Sequence, residues 1–295
     1  MKIGVCLPYL KAGVTREDYL HWFQRIDQGP FHSLSCGERV NGPSYDMGSL
    51  LAAAAVATER VEINATLYVL PMHSAVRVAK EIATIDVLSG GRVKRVTLGY
   101  GGRPQDYEAM GAAYIGRYGR MDRQVEVLRR VWKQEQIVEG GEPIGPLPLH
   151  DGGPELLAGV FGPQALARCA RWADGLYAWS GNGEAAELQT LFDRADAAWK
   201  EAGRESRPYR LGGFWFTLAD DGKQRMYDYV YNYLAIAGDE IATAMAGMVH
   251  RHNADAINAA LDNAEEAGCE EVFLVPATAD IAEVDRLSEL LSRRQ

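Results

Sequence analysis

Four cysteines stand in 295 residues, Cys6, Cys36, Cys169 and Cys269, and no two have CxxC spacing. That leaves no disulfide framework and no thiolate cluster for a metal, so reduced thiols in a cytoplasmic protein are expected. Positive charge is also scarce: 31 Lys and Arg against 40 Asp and Glu leave a net charge of −9. Nucleic-acid binders usually show a basic face, so no nucleic-acid partner is expected, although a local basic pocket is still allowed. No apolar run approaches the ~20 residues needed to cross a bilayer, and none suggests a membrane partner. The short apolar start is broken by Pro8 and does not suit a signal peptide. The chain has no Walker loop, Gly-x-Ser-x-Gly elbow or HExxH pair, and no compact dinucleotide fingerprint. No repeat, low-complexity tract or composition shift marks a boundary, which predicts a single domain over residues 1–295.

What is present is apolar content of 47%, enough for a large core, and a regular alternation of strand-like and helix-like segments. Strands are predicted over 2–7, 31–37, 61–69, 92–98, 156–160, 175–179, 209–218 and 271–276. Helical periodicity falls between them, with Thr15 placed to cap the first helix. Residues 135–154, rich in Gly and Pro, read as a surface excursion. Repeated βα units imply a parallel sheet covered by helices, and eight units favour closure into a (β/α)8 TIM barrel over a doubly wound open sheet.

Residues 71–102 organise the rest. Apolar positions from Ala75 to Val87 fit a helix buried on a broad face, and Ser89-Gly90-Gly91 stops it. A β-branched strand follows, and then Gly99-Tyr100-Gly101-Gly102. A glycine loop at a strand's carboxyl end, where α/β proteins bind ligands, suits close approach by a flat cofactor. A second glycine turn, Gly159 to Gly162, precedes Pro163 at a helix start. Free N–H groups there suit an anion, with simple helix initiation as the plainer alternative.

The run AKEIATIDVLSGGRV, the glycine loop, YEAMG and GRMDRQVEVLRRVW, in that order, resemble the bacterial luciferase-like monooxygenase family. The matching residues are Ala79-Lys80, Ala83 to Asp86, Leu88 to Arg92, Glu108, Gly111, Arg117, Arg120 and Val131-Trp132. Ile85 stands where Leu is usual, and Arg123-Gln124 where an acidic residue is common. The resemblance implies an oxidoreductase acting on an unidentified small organic substrate, with FMN or coenzyme F420 at the carboxyl end of the barrel. FMN would mean oxygen insertion through a flavin peroxide, with a separate enzyme reducing the flavin; F420 would mean hydride transfer, again with a possible partner reductase. The alternatives are a non-catalytic barrel that binds a flavin and, more weakly, a hydrolase barrel without a cofactor.

The resemblance also implies particular residues. Thr66, Leu67 and Tyr68 fall where the family has a bulge with a non-prolyl cis peptide behind the ring, at Thr66–Leu67 or the next bond. Gly99 and Gly101 would face the ring. Gly159, Gly162 and Arg120 would take the phosphate, against the alternative of a solvated surface arginine. Glu38, at the end of the second strand, and His73 are candidate catalytic residues. Glu38-Arg39 could equally be an ion pair at the barrel mouth, and His73 has no partner visible in the sequence. Tyr68, Tyr100, Trp179, Trp215 and Phe216 near strand ends would line an apolar pocket or belong to the core, with Trp215 opposite in direction to Phe214 and Phe216. Relatives commonly dimerise, and the small, apolar segment Leu50–Ala57 predicts a homodimer, unless that helix is buried within the monomer.

Overall fold

A computed structural model describes residues 1–294. The single-domain expectation includes Gln295, which lies outside the described residues. Eight strands form a closed parallel barrel in chain order. They are β1 (Lys2–Cys6), β2 (Ser33–Cys36), β3 (Glu62–Tyr68), β4 (Arg95–Leu98), β5 (Glu155–Ala158), β6 (Gly175–Trp179), β7 (Tyr209–Phe216) and β8 (Glu271–Pro276). Pairing of Ile3 with Val272 is part of the β1–β8 ladder that closes the ring. The expected (β/α)8 fold is therefore observed.

The helices are α1 (Arg16–Gln28), α2 (Met47–Ala57), α3 (Ala75–Leu88), α4 (Pro104–Ala109), α5 (Arg117–Trp132), α6 (Pro163–Cys169), α7 (Ala185–Glu201), α8 (Gly222–Leu234), α9 (Asp239–Met248), α10 (Ala254–Glu266) and α11 (Ile281–Arg294). Thr15 caps α1 through a reciprocal box with Asp18. The short α4 escaped the sequence reading: six residues carry too little periodicity to register, although Pro104 sits at its start. Among the described residues no helix is long and apolar enough to cross a membrane.

Two polar residues of the recognised motif fasten this frame. Asp86 is fully buried; its Oδ1 accepts from the Val93 amide and its Oδ2 from the Leu149 amide at 2.7 Å. Arg92 donates to the carbonyls of Ala55, Thr58, Val61 and Ser89, closing the end of α2 that Lys, Arg or a glycine cap would otherwise serve. The strand predicted from residue 92 accordingly begins only at Arg95.

Side chains fill the barrel from its amino end. Glu271 is buried among Ser33, Tyr209 and Arg95, with the Arg95 guanidinium 3.9 Å from the centre of the Tyr209 ring. Above them Leu157, Tyr177, Leu211 and Phe273 form an apolar plug. The free space is left at the carboxyl ends of the strands, under a roof supplied by α8 and α9.

Candidate active site

A cavity of about 620 Å³ opens at that end. Its floor includes Cys6, Thr66, Gly99, Gly159, Tyr177 and Val275, all in or just beyond the carboxyl halves of strands, and Leu234 and Met245 reach it from the roof. Period-2 alternation decides which aromatics enter. Trp179 and Trp215 line the cavity, their ring centres 4.6 Å apart at 64°, while Phe214 and Phe216 pack in the outer core. Tyr100 also lines it, edge-on to Tyr118 at 4.6 Å, whereas Tyr68 points outward and donates to Glu81 Oε1.

One wall is built on an irregularity in β3. The register with β4 slips between Thr66 and Tyr68, so Leu67 is the extra residue of a bulge, and the Thr66–Leu67 peptide is cis. This is the first of the two bonds expected. A bulge re-aims a side chain, and Leu67 lies across the two glycine strand ends. A Cβ on Gly99 would sit 2.8 Å from Leu67 Cδ1, and one on Gly159 2.4 Å from Leu67 Cδ2. Both glycines are therefore needed where Leu67 forms the surface between them. Gly101 has φ +63°, and an added Cβ would lie 2.5 Å from Val69 Cγ1. Its loop needs glycine for its own conformation, whether or not a ligand approaches.

The structure brings Glu38 and His73 together. Glu38 lines the cavity; its Oε1 is 2.6 Å from His73 Nε2, and its Oε2 accepts from the Val69 amide at 2.6 Å. His73, which has no partner visible in the sequence, thus has one, though it lies behind Glu38 and outside the cavity lining. Burial lowers its proton affinity, but the hydrogen bond and charge of Glu38 outweigh that, and the net shift is upward. The alternative of a Glu38–Arg39 ion pair is not realised: among the described residues Glu38 pairs with His73, and the Arg39 guanidinium lies 5.7 Å from the centre of the Tyr233 ring.

Arg120 goes elsewhere than expected. Its Nε donates to the Pro71 carbonyl at 3.1 Å and another guanidinium nitrogen to Ala113, so it ties the start of α5 to the turn after β3 and is not part of the lining. Arg117, one helical turn earlier, does line the cavity, between the rings of Tyr114 and Tyr118 at 3.8 and 4.4 Å. Its Nε is buried without a hydrogen-bond partner. Which of the two arginines faces the cavity depends on the phase of α5, which a motif does not give. Gly159, Val160, Phe161 and Ala165 share the lining with Arg117, and an Asp122–Arg168 pair at 2.8 Å joins α5 to α6 nearby. Gly162 has φ +83°, with no side-chain cap on α6, and is itself outside the lining. Sequence reasoning also missed Tyr9, Arg103, Tyr177 and Tyr233 as cavity residues. None belongs to a motif, and Tyr233 sits on a helix rather than a strand end.

The family model for luciferase-like monooxygenases matches residues 1–282. An uncharacterised Mycobacterium tuberculosis protein is 31% identical over 204 residues, 63% of this chain and 65% of that one, so the match spans less than two thirds of this relative's length. The fold is shared with an F420-dependent secondary alcohol dehydrogenase solved with an F420-acetone adduct (TM-score 0.77, 18% identity, 100% of this chain and 99% of that one). It is shared too with the oxygenating constituent of Pseudomonas putida 3,6-diketocamphane monooxygenase in complex with FMN (TM-score 0.69, 17% identity, 99% and 97% covered).

Proposed function

The chain belongs to the luciferase-like monooxygenase family, and from that premise we propose that it is an FMN- or F420-dependent oxidoreductase whose cofactor occupies the cavity at the carboxyl end of the barrel. The observation that carries this reading is the donor set of that cavity. It combines a smooth apolar surface, Leu67 lying across Gly99 and Gly159, with an arginine, Arg117, whose buried Nε lacks an acceptor among the described residues. A flat ring fits the first and a phosphate the second. Thr66, Leu67, Gly99 and Gly101 would hold the ring, and Arg117 with the Gly159–Gly162 turn the phosphate. Arg120 and Tyr68 would act by fixing the neighbouring turns. When bound, the cofactor supplies the redox chemistry, oxygen insertion for FMN or hydride transfer for F420.

The protein's part is to orient, to exclude water and to manage a proton. Glu38 reaches the cavity with one oxygen held by the Val69 amide and the other by His73. The raised proton affinity of His73 keeps a proton beside Glu38, which gives the pair a candidate acid–base role. The trio of Trp179, Trp215 and Tyr177 shields the space from the barrel side. Such an enzyme acts on a small organic molecule, draws on a separate reductase for its reduced cofactor, and works in the cytoplasm.

Arginine variants test the assignment. Arg117→Ala is expected to weaken binding of the phosphorylated cofactor by about 1.5–3 kcal/mol, the scale of a charge-assisted hydrogen bond. The loss should shrink for riboflavin, which has no phosphate, and Arg120→Ala should have less effect on either. Equal losses for FMN and riboflavin would remove Arg117 from the phosphate site.

A further inference from the structure

A second cationic cluster lies on a different wall from Arg117. Arg39, on the loop after β2, and Arg103, at the start of α4, both lie over the ring of Tyr233, 5.7 and 5.4 Å from its centre. Lys11 stands 5.3 Å over Tyr229, which stacks on Tyr233 with ring centres 6.5 Å apart. The two arginine loops are clamped to each other, because Asp106 Oδ1 accepts from the Asn41 amide and from Asn41 Nδ2 at 3.0 and 2.8 Å. Among the described residues neither arginine has a carboxylate within salt-bridge distance, in a chain with 40 acidic residues. Arg103 donates to the Tyr233 carbonyl, and Arg39 Nε is buried with no acceptor.

This arrangement is costly without a ligand. Two like charges lie against one aromatic ring, and burial together with the Arg39 charge lowers the proton affinity of Arg103. A buried charged donor without an acceptor has lost its hydration with no hydrogen bond to replace it. An arriving oxyanion would satisfy Arg39 Nε, neutralise the repulsion and match the planar forks of two guanidinium groups. The adjoining wall is apolar and aromatic: Trp215 is 5.3 Å from Tyr233 and 4.6 Å from Trp179. The surroundings therefore suit a carbon body next to the charged end. Asp106, already engaged by Asn41, and Glu38, held by His73, repel a dianion spread across the cavity and favour a single charge at the Tyr233 end.

We propose that the substrate of this site is a small organic oxyanion, a carboxylate or sulfonate on a carbon skeleton, whose charged end docks on Arg39 and Arg103 against Tyr233 while its body lies along Trp215 and Trp179. The proposal rests on the oxidoreductase reading in one respect: the Arg117 side of the cavity is assigned to the cofactor.

The test is a binding titration of the full chain with 1-butanesulfonate, butanoate and uncharged 1-butanol, followed by calorimetry and by intrinsic tryptophan fluorescence. FMN and F420 affinities are measured on the same samples. Both anions should bind, 1-butanol at least tenfold more weakly. Arg39→Gln and Arg103→Gln should each weaken anion binding at least tenfold and leave cofactor affinity within twofold. Arg39→Lys, which keeps the charge but not the fork, should fall between, and serves if a Gln variant unfolds. Three results would overturn the proposal: no anion binding by the wild type, equal binding of butanol, or a parallel loss of cofactor affinity in the Gln variants, which would give the arginines to the cofactor. Arg39-dependent anion binding in a protein that takes up neither FMN nor F420 would sink the cofactor reading and leave the anion site standing.

Discussion

Glu38 accepts from both His73 and the Val69 amide, and the histidine's titration follows from that arrangement. The folded value is raised above the ordinary 6.5. The pair's contribution to stability is therefore fully present below the unfolded value and is lost as pH rises through the raised folded one. His73→Gln is expected to cost about 1.5–3 kcal/mol near pH 6 and much less near pH 9; denaturant unfolding at both pH values measures it, and a difference independent of pH would contradict the pairing. Gly159 offers a second residue-scale prediction. The nearest atoms to an added Cβ belong to side chains rather than backbone, first the flexible end of Leu67 at Cδ2 and then, at 3.2 Å, Thr97 Cγ2. Gly159→Ala should leave the fold intact and push Leu67 into the cavity, weakening cofactor binding about tenfold or more, whereas Gly101→Val is a poor probe because its backbone alone is strained. Thermal unfolding beside a cofactor titration separates the two effects. At this scale the sequence conveyed residue types at strand ends, so Glu38, Leu67 and Gly99 were legible. It could not convey partners across 35 residues, as between Glu38 and His73, nor the rotation of α5 that turns Arg117 rather than Arg120 to the cavity.

Among the elements, strands and long helices were readable because each has a strong period. What failed were ends and short pieces: α4 was missed, and β4 starts three residues late because Arg92 is spent on the carbonyls around α2. The roof is legible as helices but not as a roof, since Tyr233 of α8 meets its partners Trp215, Arg39 and Arg103 only through tertiary packing. The start of α11 carries its own prediction. Glu283 is buried and accepts from the Leu218 amide and Thr217 Oγ1, so it holds the end of β7. Burial raises its value from 4.5 to about 7, despite those hydrogen bonds. The folded state then binds more protons than the unfolded chain between those values, and stability falls as pH rises across that interval. Relative to wild type, Glu283→Gln should gain stability from about pH 4.5 to about pH 7.5; denaturant midpoints along that series test it, and a flat difference would mean that the carboxylate is ionised throughout.

For the whole molecule, the barrel was legible because eight βα units have few other solutions, and the family because its motif belongs to the frame. Asp86 and Arg92 are conspicuous in the sequence, yet both bind backbone and neither reaches the cavity. The motif thus identified a scaffold, while cavity residues such as Arg39 and Tyr233 lie on a loop and on α8, where no pattern marks them. Assembly is a prediction at this scale. Half of α2 is buried in the monomer, including Leu50, Leu51, Ala54 and Ala55, but Val56 stays exposed, as do Val87 and Leu88 on the neighbouring α3. A homodimer through this face is expected by light scattering at micromolar concentration, and a monomer would refute it.

The account's central claim is that the cavity at the carboxyl end of the barrel holds a flavin or deazaflavin. Titration of the purified chain with FMN and with F420, read by quenching of cofactor fluorescence, tests it most directly. One of the two should saturate at one molecule per chain, with affinity reduced in Gly159→Ala; failure of both to bind the folded protein, or binding that Gly159→Ala leaves unchanged, would contradict it.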